Sequence, residues 1–290
     1  MKQIRVSLVL GSGGARGMAH VGVIKWLQEH NYKIESISGC SMGALVGGFY
    51  AAGKLDIFTE WLREVDGLSL IKLLDFRGSG GFVSGDKIVA KMQELVGDCL
   101  IEDLSIKFTA VAADINAEKE VWINKGSLLN AIRASTSLPL FFAPYIYNGK
   151  SLVDGGVLNP VPIAPTFRDS TDLTIAVNLV GKPRSQTPVL KSNKKVSSSW
   201  NISDYMSKIS LPDSITKEDG MYAVANKSFE AMQSTIARMK LSAYPPDIEI
   251  EIPRDLCGIF EFDKLDAVIE YGYTMCEKTF KAHAKLIALP

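Results

Sequence analysis

Apolar side chains fall at every second position through Val6, Leu8 and Leu10, the pattern of a strand with a buried face. The glycine-rich stretch GSGGARG follows at once. Next, MAHVGVIKWLQEHN sets Val21, Ile24 and Leu27 at helical spacing. The order then repeats, with IESISGCS as a second strand and MGALVGGFYAAGK as a second helix. Strand, turn and helix twice over, joined by short glycine turns, predict parallel strands with right-handed crossovers.

Beyond residue 54 the pattern is mostly helical to about 104, broken by the glycine loop RGSGGF. SGDKIVAKMQELVGD opens on Ser84, which has the chemistry of an N-cap. IKFTAVAADI predicts a long buried strand, with KEVWI pairing beside it. SLLNAIRAST reads as a short helix stopped near Pro139, SLVDGG as a short strand ending at Asp154, and LTIAVNLV as a further core strand. From 181 to about 216 the chain is rich in Lys, Ser and Pro and reads as a mobile surface loop. Helical patterns return at about 220–241 and 263–287, either side of the strand DIEIEIP. No internal repeat or second self-contained pattern is visible. The expectation is one α/β domain over 1–290, with core motifs at about 5–180 and a C-terminal extension at about 217–290.

Composition narrows the function classes. Lysine plus arginine and aspartate plus glutamate both number 32, so the basic footprint of a nucleic-acid binder is missing. Cys40, Cys99, Cys257 and Cys276 have no paired spacing, and only His20, His30 and His283 could join them. That disfavours a zinc site and suggests a reducing compartment. The N-terminal apolar run is too short for a signal core, and no segment approaches the roughly 20 apolar residues that span a bilayer. A cytoplasmic protein is expected.

Two glycine turns carry candidate chemistry. Gly39-Cys40-Ser41-Met42-Gly43 fits Gly-x-Ser-x-Gly between a strand and a helix. There a serine hydroxyl is presented at the carboxyl edge of a sheet, and the helix beginning near Met42 points its N–H groups and positive dipole end at the same spot. A tight turn with packing glycines would read alike. The motif follows the second strand, much earlier than an ordinary α/β-hydrolase places it. The first turn, Gly11 to Gly17, resembles a dinucleotide-binding loop, but Arg16 stands where that frame needs Gly or Ala, and Ser12 breaks the alternative frame. It also lacks the Gly-Lys-Ser/Thr of a P-loop. Its consecutive small residues could still aim N–H groups at an anion on the same sheet edge, as an oxyanion hole requires.

A nucleophilic serine needs a base. His20 and His30 precede Ser41, against α/β-hydrolase order, and His283 lies in a lysine-rich amphipathic helix. Among carboxylates, Asp154 ends a short strand before Gly155 and Gly156, and Asp114 ends another. Either could act directly as general base, and the residues alone do not choose between them.

GSGGARG, GCSMG and DGG in this order resemble the patatin-like phospholipase family. LVLGSGGARGMAHVGVIKWL, ISGCSMGALVGGFYAAG, AIRASTSLPLFFAPY and LVDGGVLNPVP extend the likeness from about 5 to 180, and PPDIEIEIPRDLCGIFEFDKLDAVIEYGY resembles the end of compact bacterial members. The resemblance implies a three-layer α/β/α fold with a mostly parallel central sheet. It implies a Ser41–Asp154 dyad and an oxyanion hole at Gly13, Gly14 and Met42. Gly11, Arg16, Gly17, Gly39, Gly43, Gly155 and Gly156 would support it, with Arg16 fixing its loop or steering a lipid phosphate. No cofactor or metal is implied. The substrate would be a phospholipid or another acyl ester, its tail in a groove near Phe141, Phe142 and Tyr145, which ordinary core packing would equally explain. The 181–216 loop is a candidate for peripheral membrane contact, and oligomeric state is left open. The competing readings are a catalytically silent lipid- or acyl-binding regulator on the same fold and a phosphate- or nucleotide-binding α/β protein using the glycine turn.

Overall fold

The computed structural model describes residues 3–65, 76–77, 82–139, 141–183, 190 and 221–287. The stretch read as a mobile loop, 181–216, lies almost wholly outside them. The strands are β1 (Ile4–Leu10), β2 (Tyr32–Cys40), β3 (Phe76–Arg77), β4 (Phe82–Val83), β5 (Lys107–Asp114), β6 (Lys119–Ile123), β7 (Tyr145–Tyr147), β8 (Lys150–Asp154), β9 (Leu173–Gly181) and β10 (Ile248–Pro253). The helices are α1 (Ala19–Glu29), α2 (Met42–Ala51), α3 (Leu55–Glu64), α4 (Asp86–Val96), α5 (Leu128–Ser135), α6 (Met221–Ala243) and α7 (Leu265–Ile287).

The main sheet runs β10-β9-β1-β2-β5-β8-β7, with β6 on the other edge of β5. From β10 to β5 every pairing is parallel; β6, β7 and β8 join antiparallel. Side-chain alternation builds a layer on each face. Leu8, Leu10, Ile175 and Val177 join the large core with residues of α1, α2 and α7. Val9, Ala176 and Val180 point the other way, onto Ala237 and Leu241 of α6. This is the three-layer, mostly parallel architecture expected from the sequence.

Two local expectations need correction. Ser84 is not the N-cap of α4: Gly85, in the left-handed region at φ 77°, takes that place, and Ser84 Oγ accepts from Asp86 N at 3.3 Å. A side chain at Gly85 would collide with the Arg133 guanidinium, so packing rather than capping chemistry decides this helix start. The turn GSGGARG is also more ordered than a loop, since Gly14–Met18 forms a 3-10 helix leading into α1.

One register positions the site. Along one edge of β5, Val111 pairs with Cys40, the last residue of β2, and Ala112 pairs with Asp154, the last residue of β8. The other edge is taken by β6. Strand β8 therefore continues, antiparallel, the edge that β2 vacates. Residues 114 apart in sequence meet where both strands end.

Candidate active site

Ser41 sits between β2 and α2 with φ 56° and ψ −124°, a strained conformation for a residue with a Cβ. It is the N-cap of α2, a position where serine normally caps with its hydroxyl. Here the side chain makes no capping bond. The backbone is held instead: Ser41 N–H donates to Ser135 Oγ at 2.9 Å, and Ser135 Oγ donates to Val111 O at 2.7 Å. Close packing enforces the turn, because a Cβ at Gly43 would lie 2.0 Å from Leu10 O and one at Gly39 would lie 2.4 Å from Gly43 O.

Asp154 is fully buried. Its Oδ1 accepts from Gly156 N–H at 2.8 Å and from the Cys40 thiol at 3.6 Å. Its own N–H donates to Ser137 O at 2.9 Å, tying the loop to the end of α5. Gly155 lets this loop approach β5, since a Cβ there would lie 2.2 Å from Val111 O. Burial raises the Asp154 pKa to about 6, and the Ser41 hydroxyl is the neighbour that most opposes the rise, ahead of Gly156 N–H and Cys40. The Ser41 contact is looser than a closed hydrogen bond, because Oδ2 has no partner at bonding distance among the described residues. Loose geometry of this kind is common before substrate binds.

The first glycine turn lies against the same spot. A Cβ at Gly17 would fall 2.4 Å from Met42 Cβ, so the turn and the start of α2 are in direct contact. Within the turn, the N–H groups of Gly11, Ser12 and Ala15 donate to Val177, Pro160 and Ile259 carbonyls. Gly13 and Gly14 N–H have no such carbonyl among the described residues, and Met42, the first residue of α2, has no intrahelical acceptor. Arg16 is buried and serves the loop: Nε donates to Gly13 O at 3.1 Å, Nη1 donates to Arg254 O, and Nη2 pairs with Glu230 at 3.2 Å.

Ser41, Met42, Ser12, Gly13, Gly14 and Arg16 all line a cavity of about 200 Å³. The rest of its wall is mostly apolar, with Leu45, Phe58, Trp61, Leu62, Met92, Phe141 and Phe142 among its members. Tyr145, expected beside those phenylalanines, is not part of it; its hydroxyl bonds Asn130 Oδ1 at 2.9 Å. Asp114 is not part of it either: its Oδ1 accepts from Asn116 and Ala117 N–H, both at 3.1 Å, as a turn former does. The histidines are also elsewhere. His20 is buried with its pKa lowered to about 4 by desolvation, and as the neutral ring its Nε2 donates to Gly11 O at 2.9 Å. His30 stacks on Trp26, and His283 Nδ1 pairs with Thr279 O one turn back.

The sequence pattern of patatin-like phospholipases matches residues 8–167, which hold both turns and Asp154. The chain belongs to the patatin-like phospholipase family. An uncharacterized NTE family protein of Mycobacterium bovis is 36% identical, over 96% of this chain and 92% of that one. The lysophospholipase nte1 of Emericella nidulans is 27% identical over 92% of this chain, which spans only 18% of that longer protein. Among solved structures, VipD from Legionella pneumophila superposes with a TM-score of 0.47 at 14% identity, covering 98% of this chain and 67% of that one. Family and relatives support lipid acyl hydrolase chemistry in general terms.

In this patatin-like chain the cavity is completed from beyond residue 167. Phe229, Glu230 and Gln233 of α6, with Ile259, Phe260 and Phe262 after β10, close over the glycine turn. Sequence reasoning also missed Ser135 and Gln233. Ser135 lies inside a block already quoted for its family likeness, so the block was the available signal. Gln233 belongs to no motif. Among the described residues, no helix is long and apolar enough to cross a membrane.

Proposed function

We propose that the chain hydrolyses carboxylic esters of phospholipids, lysophospholipids or related lipids, with Ser41 as nucleophile and Asp154 as its base. The observation that carries this reading is the pairing of a serine hydroxyl withheld from capping with a buried carboxylate whose charged form that hydroxyl favours. With a pKa of about 6, Asp154 is mostly ionised at neutral pH yet basic enough to take a proton.

Asp154 removes the Ser41 proton as Oγ bonds to the ester carbonyl carbon. The resulting oxyanion is met by the N–H groups of Gly13, Gly14 and Met42, fixed before reaction begins. Collapse breaks the bond to the alcohol, which leaves with the proton held by Asp154, and the acyl group remains on Ser41. Water then attacks, Asp154 takes its proton and returns it to Ser41 Oγ, and fatty acid is released. The apolar cavity wall suits the acyl chain, and the lysophospholipase name of the fungal relative fits the same substrate class.

The test is hydrolysis of an ester series of increasing chain length by the wild type, Ser41→Ala and Asp154→Asn. Either substitution is expected to lower kcat by roughly 10³-fold or more. Full activity in Ser41→Ala would remove the nucleophile assignment. Loss on His283→Ala with retention in Asp154→Asn would remove the dyad. Binding of lipid without hydrolysis or fluorophosphonate labelling would point to a silent binder.

A further inference from the structure

Gln233 is buried at 5% exposure in the wall of the Ser41 cavity, and its amide Nε2 has no hydrogen-bond partner among the described residues. A buried donor left unmatched is destabilising, so its retention in a tight site needs a cause. Its position is well defined. The point where a Cβ on Gly156 would sit is 2.4 Å from Gln233 Nε2, 2.8 Å from Ser12 Oγ and 3.0 Å from Asp154 Oδ1. The amide thus fills the space that the second glycine of DGG leaves open, between the oxyanion turn and the Asp154 loop. The nitrogen is the amide atom that lies at this point, with the Asp154 loop beside it. Helix α6 is pinned at both ends of this stretch, by Glu230 to Arg16 at 3.2 Å and by Lys240 to Glu120 at 2.8 Å.

Asp154 Oδ2 is the complementary orphan, a buried acceptor without a partner at bonding distance among the described residues. A group that donates to Oδ2 and accepts from Nε2 satisfies both. A water molecule does so, and so does the hydroxyl of a departing alcohol. Resting on the Ser41–Asp154 reading, we infer that Gln233 positions the oxygen that leaves as alcohol in acylation and arrives as water in deacylation. The two oxygens are equivalent by reversal of the same step, since each is bonded to the acyl carbon opposite Ser41 Oγ. In deacylation Gln233 Nε2 donates to the water oxygen while Asp154 Oδ2 takes one of its protons. The water oxygen bonds to the acyl carbon, the bond from that carbon to Ser41 Oγ breaks, and Oγ receives the proton back from Asp154.

The consequence depends on the leaving group. A p-nitrophenolate departs without help, so acylation by its esters does not need Gln233, whereas attack by water always does. The experiment compares the wild type with Gln233→Met, a similar shape without the donor, by rapid mixing with a p-nitrophenyl acyl ester and intact-protein mass spectrometry. The expected result is a burst of about one p-nitrophenolate per chain and a mass increase equal to the acyl group. Steady turnover should fall about 10- to 100-fold, the range for losing a positioned donor or misplacing a reactant. Hydroxylamine, a nucleophile that does not need positioning, should restore turnover. A fluorophosphonate should label Ser41 in the variant within about threefold of the wild-type rate, because that step does not call on Gln233. Gln233→Asn, which withdraws the amide by one methylene, should give the same burst and decides the matter if the Met variant does not fold.

Wild-type turnover in the folded variant, or slowed turnover without accumulated acyl-enzyme, would overturn the inference. No adduct on Ser41 in the wild type would instead remove the dyad beneath it, so the two failures are told apart.

Discussion

At the scale of single residues, two side chains are placed against their ordinary preferences. Ser41 holds a positive φ and does not cap its helix; Asp154 is buried with no cation beside it among the described residues. Both features cost stability, and Asp154 allows the cost to be read by pH. Its folded pKa of about 6 lies above the ordinary value of 3.8, so the fold favours the protonated acid. As pH rises from about 4 to about 6, the unfolded chain releases this proton before the folded one does, and stability falls across that window by about 3 kcal/mol. Asp154→Asn removes that loss. Its melting temperature is expected to exceed that of the wild type at pH 8 and to match it near pH 4. In the proposed mechanism activity runs the opposite way, because the base must be ionised. The kcat/KM of the wild type is expected to rise through a midpoint near pH 6, as a pH series with one short-chain ester would show.

The sequence made Ser41 and Asp154 visible because each sits in a short glycine motif, Ser41 between Gly39 and Gly43 and Asp154 directly before Gly155 and Gly156. It left Asp154 and Asp114 level on the residues alone, since both end a buried strand and both precede a turn. What separates them is register. Asp154 pairs opposite Ala112, next to the residue that faces Cys40, whereas Asp114 spends its carboxylate on two N–H groups of its own turn. No local pattern encodes that difference. Gln233 was less legible still, because a lone glutamine in a long helix has the chemistry of any solvated face until the fold turns it inward.

At the scale of elements, the site is a junction of backbones too close for side chains. Helix α2 begins so near β1 that a methyl at Gly43 would sit 2.0 Å from the Leu10 carbonyl oxygen. Neither atom is the end of a flexible side chain, so the helix must move. Gly43→Ala is expected to lower stability by about 3 kcal/mol or more in urea titration, and any folded fraction should label poorly with a fluorophosphonate. The glycine turn depends differently on its surroundings. Arg16 joins Gly13 O, Arg254 O and Glu230, so it links the turn, the segment after β10 and α6. Arg16→Met leaves an acceptor unmatched on each of the three. The expected outcome is a loss of kcat with little change in KM, since in the proposed mechanism the turn that Arg16 holds supplies donors to the transition-state oxyanion. A rise in KM with unchanged kcat would indicate instead that Arg16 holds substrate.

At the scale of the whole molecule, alternation and glycine turns made the parallel core readable from the start. Each strand of that core follows a local apolar run, and each turn has its own residues. Readability ended where distant segments meet: β8 extends the edge vacated by β2, and the residues after 220 return to roof the cavity. The roof and walls set what the cavity can hold. Met92 lies in the wall and is nearly buried, so Met92→Trp should fill part of the 200 Å³. The kcat/KM for long acyl chains is expected to fall about 10-fold or more, and that for short ones by less than about threefold, as loss of apolar contacts in a pocket predicts. An equal loss at every chain length would place the tail elsewhere.

The dyad is tested most directly by the site and rate of covalent labelling with a fluorophosphonate. The account predicts one adduct per chain, on Ser41, formed at a rate that rises through about pH 6 and falls by roughly 10³-fold in Asp154→Asn. An adduct on another residue, or an Asp154→Asn protein that labels at the wild-type rate, would contradict it.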